Sequence, residues 1–151
     1  LPPSSAASDV YKRQDLSRFT NSLSILRSSN ISIINALEIS ADTISNSYLR
    51  QQVKSTANKV AEGESLASSL EKIQVIPPLV TQMIENGERS GRLEEMLEKV
   101  SVYLEDKFQS STKITMNLLE PLIVVFLGMF VALIVLAILL PLIQLNTLTL
   151  N

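Results

Sequence analysis

Between positions 15 and 116 apolar residues recur at three- and four-residue intervals, with hardly any two-residue alternation. That period predicts helices and no sheet. Leu16, Phe19, Leu23 and Leu26 mark one face of a first helix. Asn30 suits the left-handed residue that ends it, and Ser32 can cap the next. Ile34, Leu37, Ala41 and Ile44 line a second helix, and Leu49, Val53, Ala57 and Val60 a third that stops at Gly63. Ser65 is placed to cap a short fourth helix through Leu66, Leu70 and Ile73. Pro77-Pro78 breaks the chain and starts a fifth, since proline is tolerated in a first helical turn, with Leu79, Val80, Met83 and Ile84 as its apolar face. ENGERSG, residues 85–91, reads as a polar turn with two glycines, after which Ser90 caps a sixth helix. Glu94 and Glu95 fall in that helix's first turn, where the dipole favours anions. Leu93, Met96, Leu97, Val100, Tyr103, Leu104 and Phe108 form its stripe. Every stripe is read as ordinary core packing, and short links between six amphipathic helices make an antiparallel bundle.

The pattern changes at Pro121. From there to Ile143 runs PLIVVFLGMFVALIVLAILLPLI, without a charge. At about 1.5 Å per residue it covers roughly 35 Å, enough for a hydrocarbon core of about 30 Å with some tilt. The expected architecture is therefore all-α: an antiparallel bundle of about six helices followed by one transmembrane helix. Four segments are expected: a disordered leader over 1–14, a helical domain over 15–116, a membrane helix over 117–143 and a short tail over 144–151. The sixth helix is expected to lead into the span, with a bend at Glu120-Pro121, and Pro141 falls where the helix can stop or bend. Gly128 is read as a tolerated membrane glycine. Lys107 and Lys113 precede the span and no basic residue follows it, which places the bundle in the cytoplasm and the tail on the far side. LPPSSAASDVYKRQ has no apolar stretch and so does not read as a signal peptide. Glu120 has two readings: a carboxylate that reaches the hydrated interface, or one that pairs with a basic group on a partner.

Composition removes whole classes of chemistry. The 151 residues include no histidine and no cysteine, which excludes thiolate and imidazole metal sites, Cys or His nucleophiles and disulfides. Four glycines, Gly63, Gly87, Gly91 and Gly128, cannot assemble a phosphate-binding loop. The net charge of −2, with scattered Lys and Arg, argues against nucleic acid, which demands a concentrated basic face. Glu85, Glu88, Glu94 and Glu95 match no EF-hand spacing and are read as dipole partners rather than ligands. The expectation is a non-enzyme with no cofactor and no metal.

Several separated elements carry a family resemblance. PPLVTQMIENGERSGRLEEML, followed by LLEPLIVVFLGMFVALIVLAILLPLIQLN, resembles the second half of the general secretion pathway protein F family, which includes the type IV pilus inner-membrane platform protein. The matching elements are Pro78 before a helix, then Gly87, Glu88, Gly91 and Leu93, then Leu119-Glu120-Pro121 at the membrane and a late Pro141. SRFTNSLSILRSSNISIINALEIS resembles the start of that family's repeated cytoplasmic domain. The likeness covers about residues 15–147. Asn30 stands where the family commonly has glycine, and Ser32 where proline is frequent; residues 1–14 match nothing in the pattern.

The resemblance implies a non-catalytic inner-membrane component of a type II secretion or type IV pilus machine. Its implied partners are a cytoplasmic assembly ATPase, other inner-membrane assembly proteins, pilin or pseudopilin subunits, further copies of itself and membrane lipid. The implied location is a bacterial inner membrane, with the bundle cytoplasmic and the C-terminus periplasmic. Family members carry two such domains and typically three membrane helices, so this chain is expected to be the C-terminal part. The alternative, from another class, is a tail-anchored helical signalling or adaptor module.

Overall fold

The computed structural model describes residues 3–150, and all their side chains except those of 3–7, 111, 112 and 115. Six helices follow one another: α1 Pro3–Ser28, α2 Ile33–Ala41, α3 Ser47–Ala61, α4 Leu66–Glu71, α5 Pro78–Ser90 and α6 Leu93–Thr149. No strand occurs among the described residues. The chain divides into two units, Leu1–Gln109 and Ser110–Asn151.

In the first unit the apolar stripes meet in one core. Leu16, Phe19 and Leu23 of α1, Leu37 of α2, Val53 of α3, Leu70 of α4, Val80 and Ile84 of α5 and Leu97 and Val100 of α6 are all buried. Each large side chain withdrawn from water in this way contributes about 1.5–3 kcal/mol, which outweighs the weak intrinsic preferences of these short helices. Two stripes are rotated from expectation. On α2 the buried set is Ala36, Leu37, Ser40 and Ala41, with Ile34 only partly covered. On α5 Leu79 is 46% exposed and Thr81 is buried instead.

Helix ends follow local chemistry closely. Ser32 Oγ accepts from the Asn35 N–H, Asn46 Oδ1 from Leu49 and Ser65 Oγ from Ser68. Each satisfies one of the donors that the first turn leaves free. Asn30 (φ 66°) ends α1, and the Ile31 N–H returns to the Leu26 carbonyl at 3.1 Å. Gly91 (φ 68°) ends α5, and the Arg92 N–H returns to the Gly87 carbonyl at 2.9 Å. This left-handed reversal costs a residue with a Cβ about 1–2 kcal/mol, least for asparagine, which explains both residue choices.

Two local expectations are overturned. Residues 85–91 are not a turn, because α5 continues to Ser90 and only Gly91 reverses the chain. Glu85, Asn86, Glu88 and Arg89 are polar because they lie towards solvent, while Gly87 is on the buried face. Ser90 does not cap α6; its Oγ donates back to the Asn86 carbonyl at 2.7 Å. The leader is also helical from Pro3 onward: a first-turn proline followed by alanines, Lys, Arg and Gln contains nothing that breaks a helix. Residues 1 and 2 of that leader lie outside the described residues, as does the last residue of the tail.

In the second unit α6 runs through both Pro121 and Pro141 to Thr149. Of the stop or bend expected at Pro141, the stop is absent. Proline cannot donate to the carbonyl four residues back, so Asn117 and Ala137 lose that partner. Met116–Thr149 is long and apolar enough to cross a membrane, and none of it is buried within the protein.

Candidate functional site

The residues that carry the family likeness divide between the two units. Pro78, Gly87, Glu88, Gly91 and Leu93 belong to α5 and its turn into α6, whereas Glu120, Pro121 and Pro141 belong to the apolar part of α6. Pro78 opens α5, behind Pro77 in an extended conformation (φ −62°, ψ 143°), which is what a residue before proline prefers.

Glu88 has the most specific set of contacts. Its carboxylate accepts from the Ser65 hydroxyl at 2.8 Å, the Leu66 N–H at 2.7 Å and the Ala67 N–H at 3.2 Å. Ser65 in turn accepts from the Ser68 N–H at 3.3 Å. The first three donors of α4 are thereby all satisfied, two of them by a side chain 21 or 22 residues away. An anion at a helix N-terminus is also favoured by the dipole. Glu88 is thus a clamp between α5 and the six-residue α4, which is too short to persist by itself.

Gly87, one residue earlier, faces α6. A Cβ placed on it would lie 3.0 Å from the Leu93 Cα and 3.0 Å from the Met96 Cβ. Glycine is favoured here by close approach, not by φ, and Gly91 four residues on supplies the reversal that brings Leu93 back against it. Gly87, Glu88, Gly91 and Leu93 therefore form one device, which packs α5 on α6 with one residue and clamps α4 with the next.

Two further clamps left no signal in the sequence. Asp15 is 3% exposed; its two oxygens accept from the Ser45 N–H at 3.1 Å and the Asn46 N–H at 3.0 Å, just before α3. Arg27 donates to the Ile31 carbonyl at 2.6 Å and also pairs with Glu94, joining the end of α1 to the start of α6. The Glu94 carboxyl is held below its ordinary value by a hydrogen bond from its own backbone N–H and by Arg27. Two other carboxyls are lowered as well: Glu64 by hydrogen bonds from Lys72 and Ser69, and Glu95 by Lys99. Glu85 pairs with Arg89 at 2.6 Å. Among the described residues no three His, Cys, Asp or Glu gather as a possible metal site.

The device is structural, and the comparisons with known proteins say in which setting it occurs. Residues 19–141 match the family model for the type II secretion system (T2SS), protein F. The chain belongs to the type II secretion system protein F family. Type II secretion system protein F of Pseudomonas aeruginosa is 41% identical over 139 residues, 92% of this chain and 34% of that protein. The same protein of Vibrio cholerae is 35% identical over 139 residues, again 92% of this chain and 34% of the relative. The type IV pilus assembly protein PilC of Myxococcus xanthus is 32% identical over 119 residues, 79% of this chain and 28% of the relative. The chain spans about a third of the length of the curated relatives it matches. In this protein F domain Glu120 is the sole charged residue of the apolar stretch Met116–Thr149, four positions inside its start. Pro121 directly follows it.

Proposed function

We propose that this protein F domain serves a secretion or pilus machine as a non-catalytic platform in the bacterial inner membrane, linking a cytoplasmic assembly ATPase to the assembly of pilin or pseudopilin subunits. The observation that carries the reading is the family match across 19–141, together with relatives named for both type II secretion and type IV pilus assembly. The helical unit supports it by its design: Glu88, Asp15 and Arg27 each tie one helix end to another element, producing a braced surface suited to docking. The bundle lies in the cytoplasm and the C-terminus in the periplasm, supported by Lys107 and Lys113 before the span and no cation after it. The bundle also meets other copies and other inner-membrane assembly proteins.

Two measurements test this. With no native cysteine in this chain, single cysteines at Tyr48 and Leu148, in a full-length protein with any cysteines outside this chain replaced, report sidedness. The proposal expects a membrane-impermeant thiol reagent applied to intact spheroplasts to label position 148 and spare 48; the reverse labelling overturns the orientation. Co-purification with the assembly ATPase of the same organism's secretion or pilus machine tests the partner, and its absence at physiological salt overturns that assignment.

A further inference from the structure

Helix α3 carries Arg50, Lys54 and Lys59 and not one Asp or Glu, in a chain whose net charge is −2. Arg50 donates to the Ile44 carbonyl and Lys54 pairs with Asp42, while Lys59 lines a surface groove. Its inner face is core: Leu49, Val53 and Ala57 are buried. Its outer face presents Tyr48, Gln52, Ser55 and Lys59 at helical spacing, and this row borders a groove of about 360 Å³ against α4. Gln51 stands beside the row, Lys72 closes the groove from the end of α4, and Ile73 contributes an apolar floor. None of the nine lining residues is a carboxylate; Glu64 stands beside them and accepts from Lys72 and Ser69. Tyr48 is 70% exposed.

From this arrangement we infer that the α3–α4 groove is a docking site for an acidic polypeptide segment of a partner protein. Side-chain amides offer both donors and acceptors, so Gln51 and Gln52 can meet the N–H and C=O groups of a bound backbone. The two ammonium groups face the carboxylates. Lys72 spends one of its three donors on Glu64, at 3.2 Å, and keeps two; Lys59 is partly buried. Tyr48 supplies rigid contact area at small entropic cost, as exposed tyrosines do in binding surfaces. Two ammonium groups among amides are too sparse for a nucleic-acid backbone, and a flat lipid surface makes no use of a recessed amide row. The inference deepens the docking reading above by naming the surface, and its test is separable from that reading.

The test uses the full chain in nanodiscs of zwitterionic lipid and a fluorescein-labelled twelve-residue Glu-Ala repeat peptide, with the Gln-Ala repeat as neutral control. Anisotropy is expected to show binding of the acidic peptide at least about tenfold tighter than of the neutral one. Lys59→Glu with Lys72→Glu is expected to weaken it by at least about tenfold, since reversal replaces attraction by repulsion. Because Lys72→Glu also disturbs Glu64, Tyr48→Ala with Lys59→Gln serves as a second variant with the same expected direction. Lys99→Glu, on α6 and paired with Glu95, is expected to change binding less than twofold. Equal binding of the two peptides overturns the inference, as does unchanged binding in both groove variants. It is likewise overturned, in favour of a membrane surface, if vesicles of phosphatidylglycerol displace the peptide and lose the chain in the same variants. Failure of the ATPase to co-purify with wild-type chain that still binds the acidic peptide counts against the ATPase assignment alone.

Discussion

Replacing Glu88 by alanine removes the acceptor for three donors at the head of α4: the Ser65 hydroxyl and the N–H groups of Leu66 and Ala67. The hydroxyl can turn to water. The two amides have less freedom, because Leu66 is 1% exposed and Ala67 6% exposed. A buried donor left without a partner costs about 1–3 kcal/mol; since Glu88 itself is partly open to solvent, water can replace some of the loss. The expected destabilisation is therefore about 2–3 kcal/mol, on the order of 10 °C in thermal midpoint for a unit of this size. Glu88→Gln keeps one oxygen acceptor but no negative charge at the helix end, and is expected to cost about half as much. Amide hydrogen exchange on the full chain in detergent micelles reads the site itself. Protection at Leu66 and Ala67 is expected to fall at least about tenfold in Glu88→Ala, while Val80 and Ile84 of α5 lose only what the global stability loses. Unchanged protection at Leu66 and Ala67 in a folded Glu88→Ala protein would show that the carboxylate does not cap α4, and the reasoning would fail.

Other perturbations follow from the same contacts. Asp15→Asn leaves one oxygen for two backbone donors and turns an NH₂ towards the other, so chemical denaturation should show a loss of about 2 kcal/mol. Gly87→Ala pits a helix-propensity gain of about 1 kcal/mol against a Cβ lying 3.0 Å from the Leu93 backbone; overpacking of this kind costs about 1–3 kcal/mol. A net loss near 1 kcal/mol is expected, with a larger one for Gly87→Val, and a stabilised Gly87→Ala protein would refute the close packing. Acidification should destabilise the bundle below about pH 4.5, the ordinary value from which Glu64, Glu94 and Glu95 are depressed. A carboxyl with a lowered folded-state pKa binds protons more readily when unfolded, so its contribution is present above the unfolded value and is lost as pH falls through the folded one. Glu94→Gln should flatten that acid limb in a plot of unfolding midpoint against pH, and an unchanged slope would count against the hydrogen bond from Glu94's own N–H, with the Arg27 pairing beside it, as its source.

The helical layout was legible because the features that define it are local. Ser32 and Ser65 cap where a hydroxyl precedes an apolar run, Asn30 sits where a left-handed residue must, and the apolar stretch after Glu120 is long enough to cross a membrane. The failures share a different origin. ENGERSG looked like a turn because polarity and glycine are turn signals, but the glycine answers to Leu93 and Met96 across an interface that no local pattern reveals. Glu88 was visible as part of a family motif, yet its partners lie 21–23 positions earlier in the chain. Asp15 was invisible, since a lone aspartate on a helix is ordinary until Ser45 and Asn46 are seen to need it. Long-range clamps of this kind depend on tertiary geometry, which periodicity does not encode.

Placing a photo-crosslinking residue at Tyr48, at Val102 and at Leu148 of the full-length protein, in cells assembling the machine, would ask directly whether the bundle is the docking surface. The expected result is crosslinks to the assembly ATPase or to a second platform subunit from positions 48 or 102, and none to the ATPase from 148. Crosslinks to the ATPase from 148, or none to either partner from the two bundle positions, would contradict a cytoplasmic docking bundle.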